Sequence, residues 1–267
     1  SQFLHEELSI RLSHRVFDLL KLPYGLPIVP EIKNVIDLYY NSFERIQNCK
    51  KPKTEEDIKE FTDLIEDIKF KHSYLENYIS VGLRSISNNP LIDYDIINKE
   101  LDTFFLSRIG IRTLISQQVE MYKNKNSIII DCNVSNVIED AIEEVKIIGE
   151  LSYNDDIPKI NFKKNDIIMP YIPFHLFYII TEVLKNSVVS HNKNNVIDKD
   201  IDITTSEGKN DVIIKISDNG MGFSFKKISK VLSYSYSTTP IDICRESVDT
   251  SKPIISGFGF GLPMAKL

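Results

Sequence analysis

Three short signatures follow one another in the C-terminal part of the chain, and their order restricts the fold more than any other feature. "EVLKN" sets Glu182 and Asn186 four residues apart, "VIIKISDNGMG" leads into Asp218, Gly220 and Gly222, and "GFGFGLPMAKL" puts Gly257, Gly259 and Gly261 before a helix start. Residues four apart on a helix share one face, here away from the apolar stripe of Leu176, Ile179, Ile180, Val183 and Leu184. An Asn carbonyl is a hard oxygen ligand that suits Mg²⁺, and a carboxylate one turn away can take a hydroxyl proton. Alone, the pair reads more readily as a solvated polar face. A carboxylate at a strand end can accept a hydrogen bond from an adenine amino group, and glycines let the base approach the backbone. Asp-Asn-Gly is also ordinary turn chemistry. Glycines before a helix N-terminus leave backbone N–H groups and the helix dipole free for an anion such as phosphate, although one such run is a weak signal by itself.

Upstream, the pattern divides in two. Residues 1–126 read as helical. "FLHEELSIRLSHRVFDLLKL" places Phe3, Leu4, Leu8, Leu12, Val16, Leu19 and Leu20 near the helical period. "LPYGLPIVPE" is a turn-rich break, and a second helix is expected from Glu31 to Gln47. Thr54, with acidic residues behind it, predicts the N-cap of a third helix that reaches Val81. A fourth is expected from Asp95 to Met121. Four long helices with short connections predict a bundle. The polar "YKNKNS" reads as a linker, and residues 127–267 as an α/β domain. Its expected elements are a strand in "SIIIDCNV", a helix from Val134 to Gly149 capped by Asn133 or Ser135, and short strands in "IPKINF" and "DIIMPYI". The helix "PFHLFYIITEVLKNSVVSH" and a hairpin of "DIDITT" and "VIIKIS" follow.

Composition excludes more than it assigns. A formal net charge of −6 makes nucleic acid or an anionic membrane an unsuitable principal partner. No apolar run is long enough to span a bilayer. Cys49, Cys132 and Cys244 have neither metal-site nor disulfide spacing, which favours a reducing compartment. Residues 1–20 read as an amphipathic helix rather than a targeting segment.

Taken together, Glu-x-x-x-Asn on a helix, Asp-x-Gly-x-Gly after a strand and Gly-x-Gly-x-Gly before a helix resemble the GHKL ATPase fold. A preceding helical bundle is unlike gyrase B subunits, mismatch-repair proteins and heat-shock chaperones, whose ATP domain comes first. Histidine kinases need an exposed His followed by an acidic residue, and neither His14 in "LSHRVF" nor His72 in "FKHSYL" fits. The blocks "FFLSRIGIRTLISQQ", "CNVSNVIEDA", "EVLKNS", "VLSYSYSTTP" and "GFGFGLPMAKL" resemble, in order, those of the mitochondrial 2-oxoacid dehydrogenase kinases. "CNVS" and "SYSYST" are closer to the pyruvate dehydrogenase kinases, while "GFGFGLP" is at home in the branched-chain enzyme.

That resemblance implies an α+β two-domain protein: a four-helix bundle, then a Bergerat-type α/β sandwich that binds ATP and is C-terminally incomplete. It implies a serine protein kinase that phosphorylates the E1α subunit of the pyruvate dehydrogenase complex and inactivates it. The alternatives are the branched-chain kinase and, from another class, a catalytically weak nucleotide-binding module or a GHKL ATPase. Glu182 matches the general base and Asn186 the Mg²⁺ ligand. Lys185, Asn186, Val189, Asp218, Gly220, Gly222, Ser237 and Thr238 match nucleotide-contacting positions, and Gly257, Phe258, Gly259, Phe260, Gly261 and Leu262 the lid segment. Tyr39, Ser42, Lys69, His72, Ser107, Arg108 and Arg112 match a pocket for inhibitory 2-oxo acids. ATP and Mg²⁺ are the implied cofactors, with K⁺ a further candidate. The implied partners are E1α, the lipoyl domain of E2, a small 2-oxo acid and a second copy of the full-length chain; the implied location is the mitochondrial matrix.

The chain departs from the family pattern at several points. Tyr178 stands where a His usually precedes the base, Val189 where an Arg usually follows the Asn, and Lys69 where an Arg is usual. Only Phe3 remains of the expected lipoyl-binding pocket, and the final strands and tail are missing, as expected of the core of a longer protein.

Overall fold

The computed structural model describes residues 1–87, 89–153, 157–220, 222–224, 230–236 and 258–267. They form two units: 1–128 with 233–236, and the described residues of 129–232 with 258–266.

The first unit is helical: α1 (Gln2–Leu20), a 3₁₀ turn (Leu26–Ile28), α2 (Pro30–Asn48), α3 (Glu55–Lys71), α4 (Leu75–Ser85) and α5 (Tyr94–Lys123). On α1, Leu4, Leu8, Leu12 and Leu19 are buried as their spacing predicts. Phe3 and Leu20 are exposed instead, because each lies one residue, a quarter turn, off that stripe; Val16 is half-buried. Arg15 takes the inward position on that side. Thr54 caps α3 as expected: its hydroxyl accepts from the Asp57 N–H at 3.2 Å, while the Asp57 carboxylate accepts from the Thr54 N–H at 2.9 Å.

The expected third helix is two helices. It breaks at His72–Tyr74, where the Arg108 guanidinium donates to the His72 carbonyl at 2.7 Å. That carbonyl is thereby occupied by a side chain where a continuing helix would need it for its own ladder.

Residues 233–236 pack against α5. Asn98 donates to the Ser233 hydroxyl at 2.9 Å and accepts from the Tyr234 N–H at 3.1 Å. The Tyr234 ring stacks on Phe105 with centroids 5.3 Å apart, and its hydroxyl donates to Asp102 at 2.8 Å.

The second unit runs β1 (Ile130–Asn133), α6 (Val134–Tyr153), β2 (Ile160–Phe162), β3 (Ile168–Tyr171), α7 (Pro173–Asn194), β4 (Ile201–Glu207), β5 (Val212–Ser217) and α8 (Gly261–Lys266). Asn133 is the cap of α6, accepting from the Asn136 N–H at 3.1 Å, whereas the Ser135 hydroxyl donates to the Asn165 carbonyl. Among the described residues β1 pairs antiparallel with β3, and a second sheet has the order β2-β4-β5, parallel then antiparallel. Leu176, Ile180, Leu184 and Val188 step inward along α7 and share one core with Ile138, Ala141 and Val145 of α6 and Ile160, Ile201 and Ile203 of the sheet. Ile179 and Val183 are only half-buried, since they lie beside the stripe of Leu176, Ile180, Leu184 and Val188. This packing fixes α7, and β5 delivers Asp218 just beyond its last paired residue, Ser217.

Candidate functional site

In the second unit, the polar side of α7 carries Glu182, Lys185 and Asn186. Lys185 Nζ lies 2.5 Å from a Glu182 carboxylate oxygen, with both side chains only 16% exposed. The Asn186 amide nitrogen donates to the Glu182 carbonyl at 2.6 Å. With its nitrogen committed in this way, Asn186 keeps its Oδ1 lone pairs for another ligand. One hard side-chain oxygen beside a carboxylate is a donor set that fits Mg²⁺, which takes few protein ligands and fills the rest with phosphates and water.

The start of α8 is seated on the other Glu182 oxygen. A Cβ built on Gly261 would stand 2.0 Å from Glu182 Oε2, so a side chain here would force the Glu182 carboxylate to move. Gly261 of the third signature therefore lies beside Glu182 of the first. Phe260 is buried, and Phe258, Gly259 and Leu262 are half-buried. Ser237, Thr238 and Gly257 lie outside the described residues. Val189 is part of the apolar core, so its side chain faces the interior of the unit and not the polar side of α7.

Asp218 is exposed at the end of β5, with its carboxylate fixed by two donors: the Gly220 N–H at 2.9 Å and the Ser187 hydroxyl at 3.3 Å. Gly220 lies directly on α7, where a Cβ would fall 2.2 Å from the Ser190 hydroxyl oxygen. Gly222 has a left-handed backbone. Sequence reasoning missed Ser187, Ser190 and His191, which form the surface of α7 under this turn. Their signal was positional: Ser187 and His191, four residues apart, share one face of α7, next to the face that carries Glu182 and Asn186.

The first unit gathers the second group of candidates. Arg108 is 3% exposed, paired with Glu76 at 2.9 Å and donating to the His72 carbonyl, and its Nε is buried with no partner. Arg112 donates to the Lys69 carbonyl at 3.1 Å, and Lys69 to the Ser116 hydroxyl at 2.7 Å. Ser42 donates to the Leu38 carbonyl, so its oxygen accepts from His72 Nε2 at 2.9 Å. Tyr39 meets His72 edge-on with centroids 4.5 Å apart. Glu66 and Asp67, the obvious carboxylate partners for the arginines, pair instead with Lys123 and with Arg45 and Lys71. Ser107 is half-buried on α5 beside Arg108. Burial, aided by Arg108 and Arg112, pushes the His72 imidazole down to about 3, so the ring is neutral. Burial also pushes the Tyr39 phenol up to about 12 and pulls Lys69 and Arg112 below their ordinary values. The cluster is thus cationic and largely desolvated, with an open guanidinium donor. An anion answers that need better than water.

Comparison with known proteins agrees with both halves. Residues 1–151 match the family model described as mitochondrial branched-chain alpha-ketoacid dehydrogenase kinase, and residues 172–267 match the histidine kinase-, DNA gyrase B- and HSP90-like ATPase model. The whole chain is 33% identical to the mitochondrial [pyruvate dehydrogenase (acetyl-transferring)] kinase of Arabidopsis thaliana and covers 77% of its length. It is 29% identical to isozyme 1 of Homo sapiens over 99% of the chain and 66% of the human protein, and 29% identical to the Ascaris suum enzyme over 99% of the chain and 71% of that protein. With a bundle that matches one family model, an ATPase unit that matches the other, and full-length similarity to such kinases, the chain belongs to the 2-oxoacid dehydrogenase kinase family of the GHKL superfamily.

Proposed function

We propose that this chain is an ATP-dependent serine protein kinase that phosphorylates the E1α subunit of the pyruvate dehydrogenase complex in the mitochondrial matrix. The observation that carries this reading is the meeting of Glu182, Asn186 and the Gly261 backbone at one place on α7, in a chain similar throughout to named pyruvate dehydrogenase kinases. Asp218 accepts the adenine amino group and so orients the nucleotide. Asn186 Oδ1 would hold Mg²⁺, which when bound would supply charge neutralisation at the phosphates. Glu182 takes the proton from the incoming serine hydroxyl as that oxygen attacks phosphorus. For this, Lys185 has to leave Glu182, and the nucleotide phosphates are the competing anion.

The bundle cluster supports a regulatory half. Arg108 and Arg112, with Tyr39, Ser42, Lys69, His72 and Ser107, take the carboxylate of pyruvate or a similar 2-oxo acid, so accumulating acid slows the kinase. The exposed Phe3 supports contact with the lipoyl domain of E2, and the full-length chain dimerises by family resemblance. The test incubates full-length enzyme with labelled ATP and each E1 separately. Label on pyruvate dehydrogenase E1α is expected. Label on the branched-chain E1 alone moves the substrate to that complex, the one named by the model over residues 1–151. ATP turnover without protein labelling identifies an ATPase instead.

A further inference from the structure

We infer that His191 is the positioning residue of the adenine site: as a neutral imidazole protonated on Nδ1, it holds the Asp218–Gly220 turn against α7 and so sets preference for adenine. The inference rests on the reading of Asp218 as the adenine acceptor.

His191 is fully buried near the end of α7. Its Nδ1 lies 2.9 Å from the Ser187 carbonyl, and its Nε2 lies 3.4 Å from the Asn219 backbone nitrogen. A carbonyl only accepts and a backbone N–H only donates. The proton must therefore sit on Nδ1, leaving Nε2 bare to receive Asn219. No other ionic form satisfies both partners, since imidazolium would turn a second N–H toward the Asn219 N–H.

The consequence reaches Asp218 through two routes. The ring fixes the backbone of the residue after Asp218, while Ser187, one turn before His191, donates directly to the carboxylate at 3.3 Å. Beyond the ring, the Asn219 side chain donates to the Asp200 carbonyl at 3.3 Å, which ties the far side of the turn to the start of β4. Gly220 then rests on Ser190, where no side chain would fit. Three residues of α7 thus form the seat for the turn, and His191 is the one whose bonds require a single tautomer. The His191 backbone is held as well, its carbonyl accepting from the Val196 N–H at 3.1 Å as the helix ends.

Removing these two bonds while keeping an apolar ring should free the turn. His191→Phe does this, whereas His191→Gln retains one donor and one acceptor on a side chain of similar reach. Affinities for Mg·ATP and Mg·GTP are measured by calorimetry, well below each variant's melting temperature, for wild type, both His191 variants and Asp218→Ala. His191→Phe is expected to weaken ATP about tenfold, the loss expected for a buried hydrogen bond, and to shrink the ATP/GTP ratio toward that of Asp218→Ala. His191→Gln should stay within about threefold of wild type. An unchanged ratio in His191→Phe, or no rescue by His191→Gln, overturns the inference. A wild type without ATP preference would sink the adenine reading itself, which the Asp218→Ala arm identifies separately. Ring ¹⁵N chemical shifts of the wild-type protein give a reading that needs no variant: Nδ1–H with bare Nε2 is expected, and the opposite tautomer refutes the proposal.

Discussion

At the residue scale, two side chains make opposite demands on their protons. As the proposed base, Glu182 must be free to receive one, and Glu182→Gln keeps shape and removes basicity. General bases contribute ~10²–10⁴-fold, so phosphoryl transfer to E1α should fall by about that factor while ATP affinity, read by calorimetry, stays near wild type. His72 must instead stay neutral. Its folded value of about 3 lies below the unfolded 6.5, so the unfolded chain binds the extra proton. The stability it allows is complete above pH 6.5 and is lost as pH falls toward 3, with a slope of up to about 1.4 kcal/mol per pH unit. Urea midpoints at a series of pH values should show this decline for wild type and a flatter curve for His72→Asn. Asp57, whose carboxylate is lowered by the backbone N–H groups of Thr54 and Lys53 and by Lys50, erodes stability only at lower pH, which separates the two effects. The Glu182–Asn186 pair was legible in the sequence because it needs only a four-residue spacing on a helix. His72 matched the family pocket, but its neutrality comes from burial under α2 and α5, which no local pattern encodes.

At the element scale, helices could be read and their interruptions could not. Thr54 with Asp57 is a local signal and marks the start of α3 correctly. The break before α4 depends on Arg108, thirty-six residues away, bonding to the His72 carbonyl, and sequence periodicity carries no trace of it. The same holds at α8. "GFGFGLP" announces a flexible helix entry, but the approach of Gly261 to Glu182 exists only once α7 and α8 are packed. Gly261→Ala is therefore expected to displace the Glu182 carboxylate from its place beside α8. Because the added Cβ meets Glu182, the proposed base, and not the Asp218 turn, kcat should fall more than KM for ATP rises. Misplacing a reacting group by about 1 Å costs on the order of 10²-fold, and steady-state kinetics on E1α read the split. Equal changes in both constants would assign Gly261 to nucleotide binding alone.

At the scale of the whole molecule, the change of composition near "YKNKNS" separates a helical unit from an α/β unit, but the sequence gives no sign that residues 233–236 return to the helices. Their attachment rests on side chains far apart in the chain. Tyr234 is 2% exposed, stacked on Phe105, and its hydroxyl reaches Asp102; burial and that carboxylate together push the phenol well above its ordinary value. A neutral donor to a carboxylate has no reason to ionise, so the tether holds across the physiological range. Phe105 in turn meets Phe104, and Phe104 meets Tyr39 of the cationic cluster, each edge-on with centroids 5.1 and 5.6 Å apart. The segment that leads into Ser237 and Thr238 is therefore anchored on the helix that carries Arg108 and Arg112. Tyr234→Phe keeps the stack and deletes the hydroxyl, leaving Asp102 without that donor. It is expected to destabilise the helical unit by about 0.5–1.5 kcal/mol, read from urea unfolding. Pyruvate inhibition provides the control. If Tyr234 serves only this tether, Tyr234→Phe keeps the wild-type response to pyruvate, whereas Arg108→Ala abolishes the response. Loss of the pyruvate response in Tyr234→Phe, with stability unchanged, would instead make the aromatic contacts part of the regulatory pocket.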